Sequence, residues 1–192
     1  MVKPLRIACV YFVLLSVITG VVYPGVVTLI AQLVWPHQAN GSLIVQNNQI
    51  VGSELIGQEF TKPEYFWSRL SATGTLPYNA AASGGSNYGP LHAELQKALA
   101  KRLEQLQSAQ ASDTKVPIDL VTSSASGLDP HISPASAYFQ AVRVARARGL
   151  SDAKMQDLIM QHTEPRQWGF LGEARVNVLK LNLALDQLPR QR

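Results

Sequence analysis

Between Ile7 and Leu33 the chain carries no charged side chain, and none intervenes from Arg6 to Glu54. No other feature restricts the fold as much. As a helix this run extends roughly 40 Å at about 1.5 Å per residue. It can therefore cross a hydrocarbon core about 30 Å thick with some tilt. A helix pairs every backbone polar group within itself, as lipid requires. Pro24-Gly25 falls inside the run, and Val26, Val27, Leu29 and Ile30 continue the apolar pattern beyond it. The pair thus predicts a kink rather than an end. Trp35 stands where an indole meets the headgroups. A cleaved signal peptide has an apolar region of about 7–15 residues, roughly half of this one. A lipoprotein signal places its cysteine after the run, whereas Cys9 lies at its start. A buried core helix is seldom apolar on every side for so long. The sequence predicts an uncleaved transmembrane helix over 7–35, in contact with membrane lipid. Lys3 and Arg6 precede it and no charge follows closely. The excess of basic residues on that side puts a tail of residues 1–6 in the cytoplasm and everything after Trp35 outside the plasma (inner) membrane.

After a short polar linker at 36–41, one domain is expected over 42–192. The roughly 155 residues outside the span suffice for a single core. The net charge is +4, and Lys3 and Arg6 supply two of those charges. The remainder is nearly balanced, which argues against a nucleic-acid partner. Cys9 is the single cysteine, so the domain has no disulfide and holds itself by packing.

Ser42–Gln46 and Gln49–Leu55 read as strands joined at Asn47-Asn48, a pair that tolerates positive φ in a tight hairpin. Phe60, Tyr65, Phe66 and Trp67 form an aromatic group suited to a core, with a short helix predicted near Lys62-Pro63-Glu64. Residues 71–90 are rich in Gly, Pro, Asn and hydroxyls. That is either a functional loop or one pinned by Asn and Ser turns. Leu91 to Gln107 predicts a helix with Leu91, Leu95, Ala98, Leu99, Leu103 and Leu106 on one stripe, followed by a polar loop over 108–115. Val116–Thr122 reads as a strand limited by Pro117. Ser133 then caps a helix with Pro134 at its first position, ended by Gly149. Arg143, Arg146 and Arg148 read as an exposed flank of it. Ser151 caps the next helix, through about His162. Trp168–Gly172 reads as a turn with buried aromatics, and Val176–Val178 as a brief strand. Asn177 could cap a last helix, although the alternation of Leu181, Leu183 and Leu185 also permits a strand. The fold class is α+β: one N-terminal transmembrane helix followed by a single extracytoplasmic α+β domain.

Chemistry-bearing motifs are sparse. His37, His92, His131 and His162 are far apart, and none has metal-pair spacing. There is no nucleophile elbow and no phosphate-binding loop. The glycines at 84, 85 and 89 do not make a dinucleotide fingerprint. One stretch, Ser123–Pro134, could gather backbone amides around an anion at a helix N-terminus. Its plainer reading is a strand-to-helix connection with ordinary cap chemistry. The residues predict no catalytic group and no metal ligand.

Several blocks, in order around one N-terminal span, resemble a known family. They are Tyr23-Pro24-Gly25, Gly52–Gln58, Tyr78–Asn87, Gly89-Pro90, Val121–Pro134, Gly169-Phe170-Leu171-Gly172, Val176–Leu179 and Asn182–Asp186. Together they resemble the C subunit of Kdp-type potassium-transporting P-type ATPases, over almost the whole chain. The family usually reads Arg-Pro-Ser-Ala where this chain has Arg69-Leu70-Ser71-Ala72, and Gly where it has Pro165. The resemblance implies an accessory subunit without activity of its own. Its partners are then a P-type ATPase subunit, a channel-like potassium subunit and a small single-span subunit. ATP, Mg2+ and K+ are used by the complex through those other subunits, and no cofactor is expected on this chain. The family is described as a catalytic chaperone that raises the ATP affinity of the ATPase subunit, and its Ser/Gly block has been compared to a nucleotide-binding signature. The resemblance therefore points to Ser123, Ser124, Ser126, Gly127, Asp129, His131 and Ser133 as one candidate loop for nucleotide or partner contact. Asn79, Ser83, Gly84, Gly85, Ser86 and Asn87 form a second, for partner contact. ATP is cytoplasmic, so direct contact conflicts with an outside domain, and an effect on ATP affinity is expected to travel through the span. Two rival classes stay open on the residues alone: an anchored extracytoplasmic enzyme, and an anchored binding module without an ATPase partner.

Overall fold

The computed structural model describes residues 2–110 and 115–189; part of the polar loop expected over 108–115 lies outside them. The chain forms two compact units, Met1–Val51 and Gly52–Arg192.

In the first unit α1 (Val2–Val17), a π-helical turn (Ile18–Val22) and α2 (Tyr23–Val34) run on as one helix. Its apolar portion, Lys3–Val34, is 32 residues long, enough to cross a membrane. The helix continues through Pro24-Gly25. The irregularity lies just ahead of them, where Tyr23 N–H donates to Ile18 O, five residues back. A proline has no amide to give to the preceding turn, and a widened turn absorbs that mismatch. The expected linker is in part helical: α3 (Pro36–Ala39) begins on a proline and is closed by Asn40 Nδ2 donating to Pro36 O at 2.7 Å. β1 (Leu43–Gln46) and β2 (Gln49–Ser53) form the expected hairpin, with φ of 49° at Asn47 and 62° at Asn48. Both central residues are left-handed, as a turn matching the strand twist demands.

In the second unit α4 (Ala93–Gln110) and α5 (Ile118–Val121) lead to α6 (Pro134–Arg148), the central helix. Ser133 caps α6 through Ser136 N–H, and Gly149 ends it at φ 68°. α7 (Asp152–Gln161) and α8 (Val178–Gln187) follow, capped by Ser151 and Asn177. β3 (His131–Ile132), β4 (Thr163–Glu164) and β5 (Arg175–Asn177) make a small antiparallel sheet with β5 in the middle. Val176 lies opposite both Ile132 and Thr163. The core runs through Phe66, Leu106, Ile132, Val144, Ile159 and Leu181.

The structure corrects five sequence expectations. Lys62–Glu64 is a turn, not a helix. Val116–Thr122 is not a strand: Pro117 at the N-cap starts the short helix α5, with Asp119 in its first turn, where a carboxylate favours a helix start. Leu91 lies ahead of α4 and is 92% exposed, so the stripe begins at Leu95. Arg143 and Arg148 are buried, and only Arg146 stays on an exposed flank. Their guanidinium groups serve backbone carbonyls. Arg143 Nη1 donates to Pro63 O and Tyr65 O, and Arg148 Nε donates to Glu64 O. Burial and the nearby Arg102 pull the Arg143 guanidinium down to about 10. The fifth correction concerns Trp168 and Phe170, which are 85% and 69% exposed. Gln167 and Leu171 exchange both backbone hydrogen bonds at 2.9 Å, closing a turn so tight that its rings project from the domain.

Phe66-Trp67 is the most deeply set irregular segment. Side-chain amides pair its backbone as a neighbouring strand would. Phe66 N–H donates to Asn182 Oδ1 at 2.9 Å, and Asn182 Nδ2 returns a bond to Phe66 O at 3.0 Å. Trp67 N–H donates to Gln140 Oε1 at 2.7 Å, and Gln140 Nε2 donates to Trp67 O at 3.1 Å. Replacing Asn182 by Ala leaves both Phe66 groups unpaired. The expected loss is about 2–3 kcal/mol, read as a lower urea midpoint of the detergent-solubilised full chain. His162 supplies a pH test. Burial, then Lys180, lower its pKa from 6.5, so the fold prefers the neutral ring. A depressed folded value means that stability is intact above 6.5 and declines as pH falls below it. His162→Gln is expected to flatten that part of the stability–pH curve.

Candidate functional site

The two candidate loops meet. Residues 71–90 are not a free loop, because their hydroxyls and amides are tied down one by one. Ser71 Oγ donates to Gly127 O at 2.7 Å and accepts from Tyr78 N–H at 2.8 Å. Thr73 Oγ1 donates to Leu76 O and accepts from Asn79 N–H. Tyr78 takes a left-handed φ of 58° and donates its hydroxyl to Arg69 O at 2.6 Å. Asn79 Oδ1 accepts from Ala81 N–H and caps a 3-10 turn over Ala80–Ala82.

The next residues lie along the second loop. Gly84 N–H and Ser83 Oγ both donate to Ser126 O, at 2.9 and 3.0 Å. Ser123 Oγ donates to Ser86 Oγ at 3.3 Å. A side chain on Gly85 would press on Ala125 O, 2.9 Å from an added Cβ. Gly127 has φ 68°, and an added Cβ would lie 2.8 Å from Gly84 O. The glycines at 85 and 127 thus permit the close approach of the two loops. Asn87 remains exposed, with φ 53°.

Within Ser123–Pro134 several donors are used inside the chain. Ser124 N–H donates to Leu70 O, Gly127 N–H to Ser124 O, and Leu128 N–H to Ser126 Oγ. His131 N–H donates to Asp129 Oδ1 at 3.0 Å. Asp119 Oδ2 accepts from Ser133 N–H at 2.8 Å, and its Oδ1 accepts from the hydroxyls of Ser133 and Ser136. The start of a helix favours an anion, and at α6 the chain supplies its own carboxylate. This is cap chemistry at a loop-to-helix connection. An external phosphate would have to displace Asp119.

Asp129 organises the other end. Arg69 Nη1 donates to its Oδ2 at 2.9 Å, and His131 Nδ1 lies 3.4 Å from its Oδ1. Burial works against the carboxylate charge, but hydrogen bonds from His131 and Arg69 outweigh it, and the Asp129 pKa falls below 3.8. Behind it, Gly57 N–H donates to Leu128 O, and Val178 N–H to Pro130 O. The loop is thereby fastened to the segment before the aromatic group and to α8. Sequence reasoning missed Asp119, Arg69, Ser71 and Thr73, the residues that hold these loops. Asp119, Arg69 and Ser71 each lie 14 or more positions from at least one partner, so no local pattern could reveal them, whereas Thr73 bonds within residues 71–79.

Two measurements check this arrangement. Gly127→Ala combines a left-handed φ with a clash and is expected to cost about 2 kcal/mol or more, read as a lowered denaturation midpoint. For Asp129 the folded value is depressed, so its contribution is complete above 3.8 and is lost as pH falls below it. Asp129→Asn is expected to lower stability at neutral pH and to flatten the acid limb of the stability–pH curve.

Residues 5–187 match the family model for KdpC, described as the K+-transporting ATPase, c chain. A potassium-transporting ATPase KdpC subunit of Herpetosiphon aurantiacus is 59% identical over 184 residues, covering 95% of each chain. Subunits of the same name from Burkholderia mallei and Burkholderia pseudomallei are each 58% identical over 178 residues, covering 92% of each chain. With a match that runs from the long apolar helix to the end of α8, the chain belongs to the KdpC family.

Proposed function

We propose that this chain is an accessory, non-catalytic subunit of an ATP-driven, high-affinity potassium uptake complex. The observation that carries the proposal is the family match over residues 5–187, together with relatives named potassium-transporting ATPase KdpC subunit over nearly their whole length. The partners are a P-type ATPase subunit, a channel-like potassium subunit and a small single-span subunit. ATP, Mg2+ and K+ act on those chains. The helix over 7–35 anchors the subunit with its N-terminus in the cytoplasm, and the domain over 42–192 lies outside the plasma membrane. In that position the domain covers the potassium entrance of the channel-like subunit and supports or gates it. Any rise in ATP affinity of the ATPase subunit passes through the span. One observation supports a role by assembly: the amides of Ser124, Gly127, Leu128, His131 and Ser133 are engaged inside the chain.

The Trp168–Leu171 turn suits contact with a partner subunit. It is rigid, capped by two backbone bonds, and flanked by the Arg166–Glu173 ion pair. Exposed aromatic anchors in a fixed geometry are what assembly interfaces use. A host that relies on this complex in potassium-limited medium provides the test. Deleting residues 42–192 while keeping the span is expected to abolish high-affinity uptake; unchanged potassium affinity and turnover would refute the role of the domain. Trp168→Ala with Phe170→Ala is expected to leave the fold intact, since both rings are outside the core, and to lower recovery of the ATPase and potassium subunits on a tagged chain about tenfold, the effect of losing one hot-spot residue.

A further inference from the structure

A cleft of about 390 Å³ opens in the second unit between α4 and the segments around residues 59–61, 67–71 and 77–78. It shares Arg69, Ser71 and Tyr78 with the loop anchorage described above but opens on the α4 side. Phe60, Trp67, Leu70 and Pro77 give it apolar walls. Its volume falls within the range of small-molecule sites, which pair such walls with a few placed polar groups. Arg102 is the central polar group. Its Nε donates to Leu120 O at 3.0 Å and its Nη2 to Ser68 O at 2.9 Å. Both acceptors are neutral carbonyls, and Arg102 makes no ion pair among the described residues. Its Nη1 has no acceptor there and is not sealed in, because the one buried side-chain nitrogen left unpaired among those residues is Arg69 Nε.

Arg102 therefore faces the cleft without an ion-pair partner of its own among the described residues. Arg69 is matched by Asp129. Arg143 stacks on Trp67 at 4.1 Å, Arg102 lies 5.6 Å from the same ring, and Arg143 too has no carboxylate partner. Burial lowers the Arg102 pKa, with Tyr78 and Glu59 opposing that shift. Glu59 lines the cleft as well, but it is exposed. Semi-buried charges in folded proteins are normally paired. Here two guanidinium groups flank one indole, and the carboxylate that lines the cleft, Glu59, is exposed.

We propose that this cleft is a binding site for a carboxylate carried on an apolar body, with the carboxylate on Arg102 and the body against Trp67, Phe60 and Leu70. A guanidinium fork suits a carboxylate, and the apolar walls disfavour a bare, fully hydrated anion. The same chemistry is offered by a free organic acid and by an acidic side chain beside an apolar residue in a partner chain. The proposal does not depend on the accessory-subunit reading.

The test uses the detergent-solubilised full chain, with benzoate as probe and chloride at matched ionic strength as control. Benzoate is expected to raise the denaturation midpoint saturably, and inorganic phosphate to do so far less. Two rim residues, both exposed, then change the charge without touching the core. Gln105→Glu is expected to weaken benzoate binding about tenfold, and Glu59→Gln to tighten it by a similar factor, as one unit charge at the mouth of such a cleft would. A midpoint that does not respond to benzoate, or that responds equally in both variants, overturns the proposal. Loss of the response in Arg102→Gln, with the fold preserved by circular dichroism, supports it. Repeating the titration on the chain with its co-purified partners separates the sources. A blocked site means that a partner side chain fills it, and an open site means a free acid. A response to phosphate as large as to benzoate overturns the chemical assignment.

Discussion

The second unit depends on burying a stretch of chain that has no regular structure. Residues 63–71 pass through the domain, with Phe66 wholly buried and no strand alongside until the isolated bridge of Leu70 to Ser123. Backbone groups placed there must find partners or cost about as much as a lost hydrogen bond each. Helix side chains supply them. Asn182 from α8 and Gln140 from α6 pair the backbone of Phe66 and Trp67. Arg143 and Arg148 collect the carbonyls of Pro63, Glu64 and Tyr65. The helices are thereby fixed to one another through the segment they hold, and the small sheet has only to close one side. An apolar replacement for any of these four side chains would fill space but orphan backbone groups, which is why polar residues occupy such deep positions.

That arrangement explains what could be read from the sequence and what could not. The long apolar helix, the Asn47-Asn48 hairpin and the caps Ser133, Gly149, Ser151 and Asn177 depend on neighbours within a few residues, and the structure has them where the sequence put them. The undecided last element is a helix, since Asn177 caps it and Leu181 and Leu185, one turn apart, both face the core. Errors arose where a distant partner decided. Arg143 and Arg148 look like a solvated flank until the carbonyls some 80 positions away are brought to them. Val116–Thr122 has strand composition, yet Asp119 is drawn to the start of α6 and the chain turns helical. The aromatics of Trp168–Phe170 look like core residues because hydrophobicity alone does not say which face a turn presents.

The candidate loops follow the same logic. A Ser- and Gly-rich block ahead of a helix is compatible with anion binding, and nothing local distinguishes that from a connection that satisfies itself. The deciding residues are Asp119, which sits at the N-terminus of α6, and the 83–86 segment, which lies along Ser123–Gly127. With those in place the glycines have a steric reason to be present. The geometry of this block is in part that of a joint between two loops.

What the domain leaves unspent is more informative than what it uses. Many backbone donors and buried hydroxyls are consumed internally, and two features remain open to a partner. One is the rigid turn carrying Trp168 and Phe170 into solvent. The other is the cleft in which Arg102 faces space without a carboxylate. The first is convex and apolar with a charge-paired base; the second is concave, cationic and walled by aromatics. Both are the kind of feature a chain keeps when its work is to be held by something else. A subunit that contributes by position needs a stiff fold and a few anchoring points, and the amide- and guanidinium-stitched interior provides them in a domain without a cysteine.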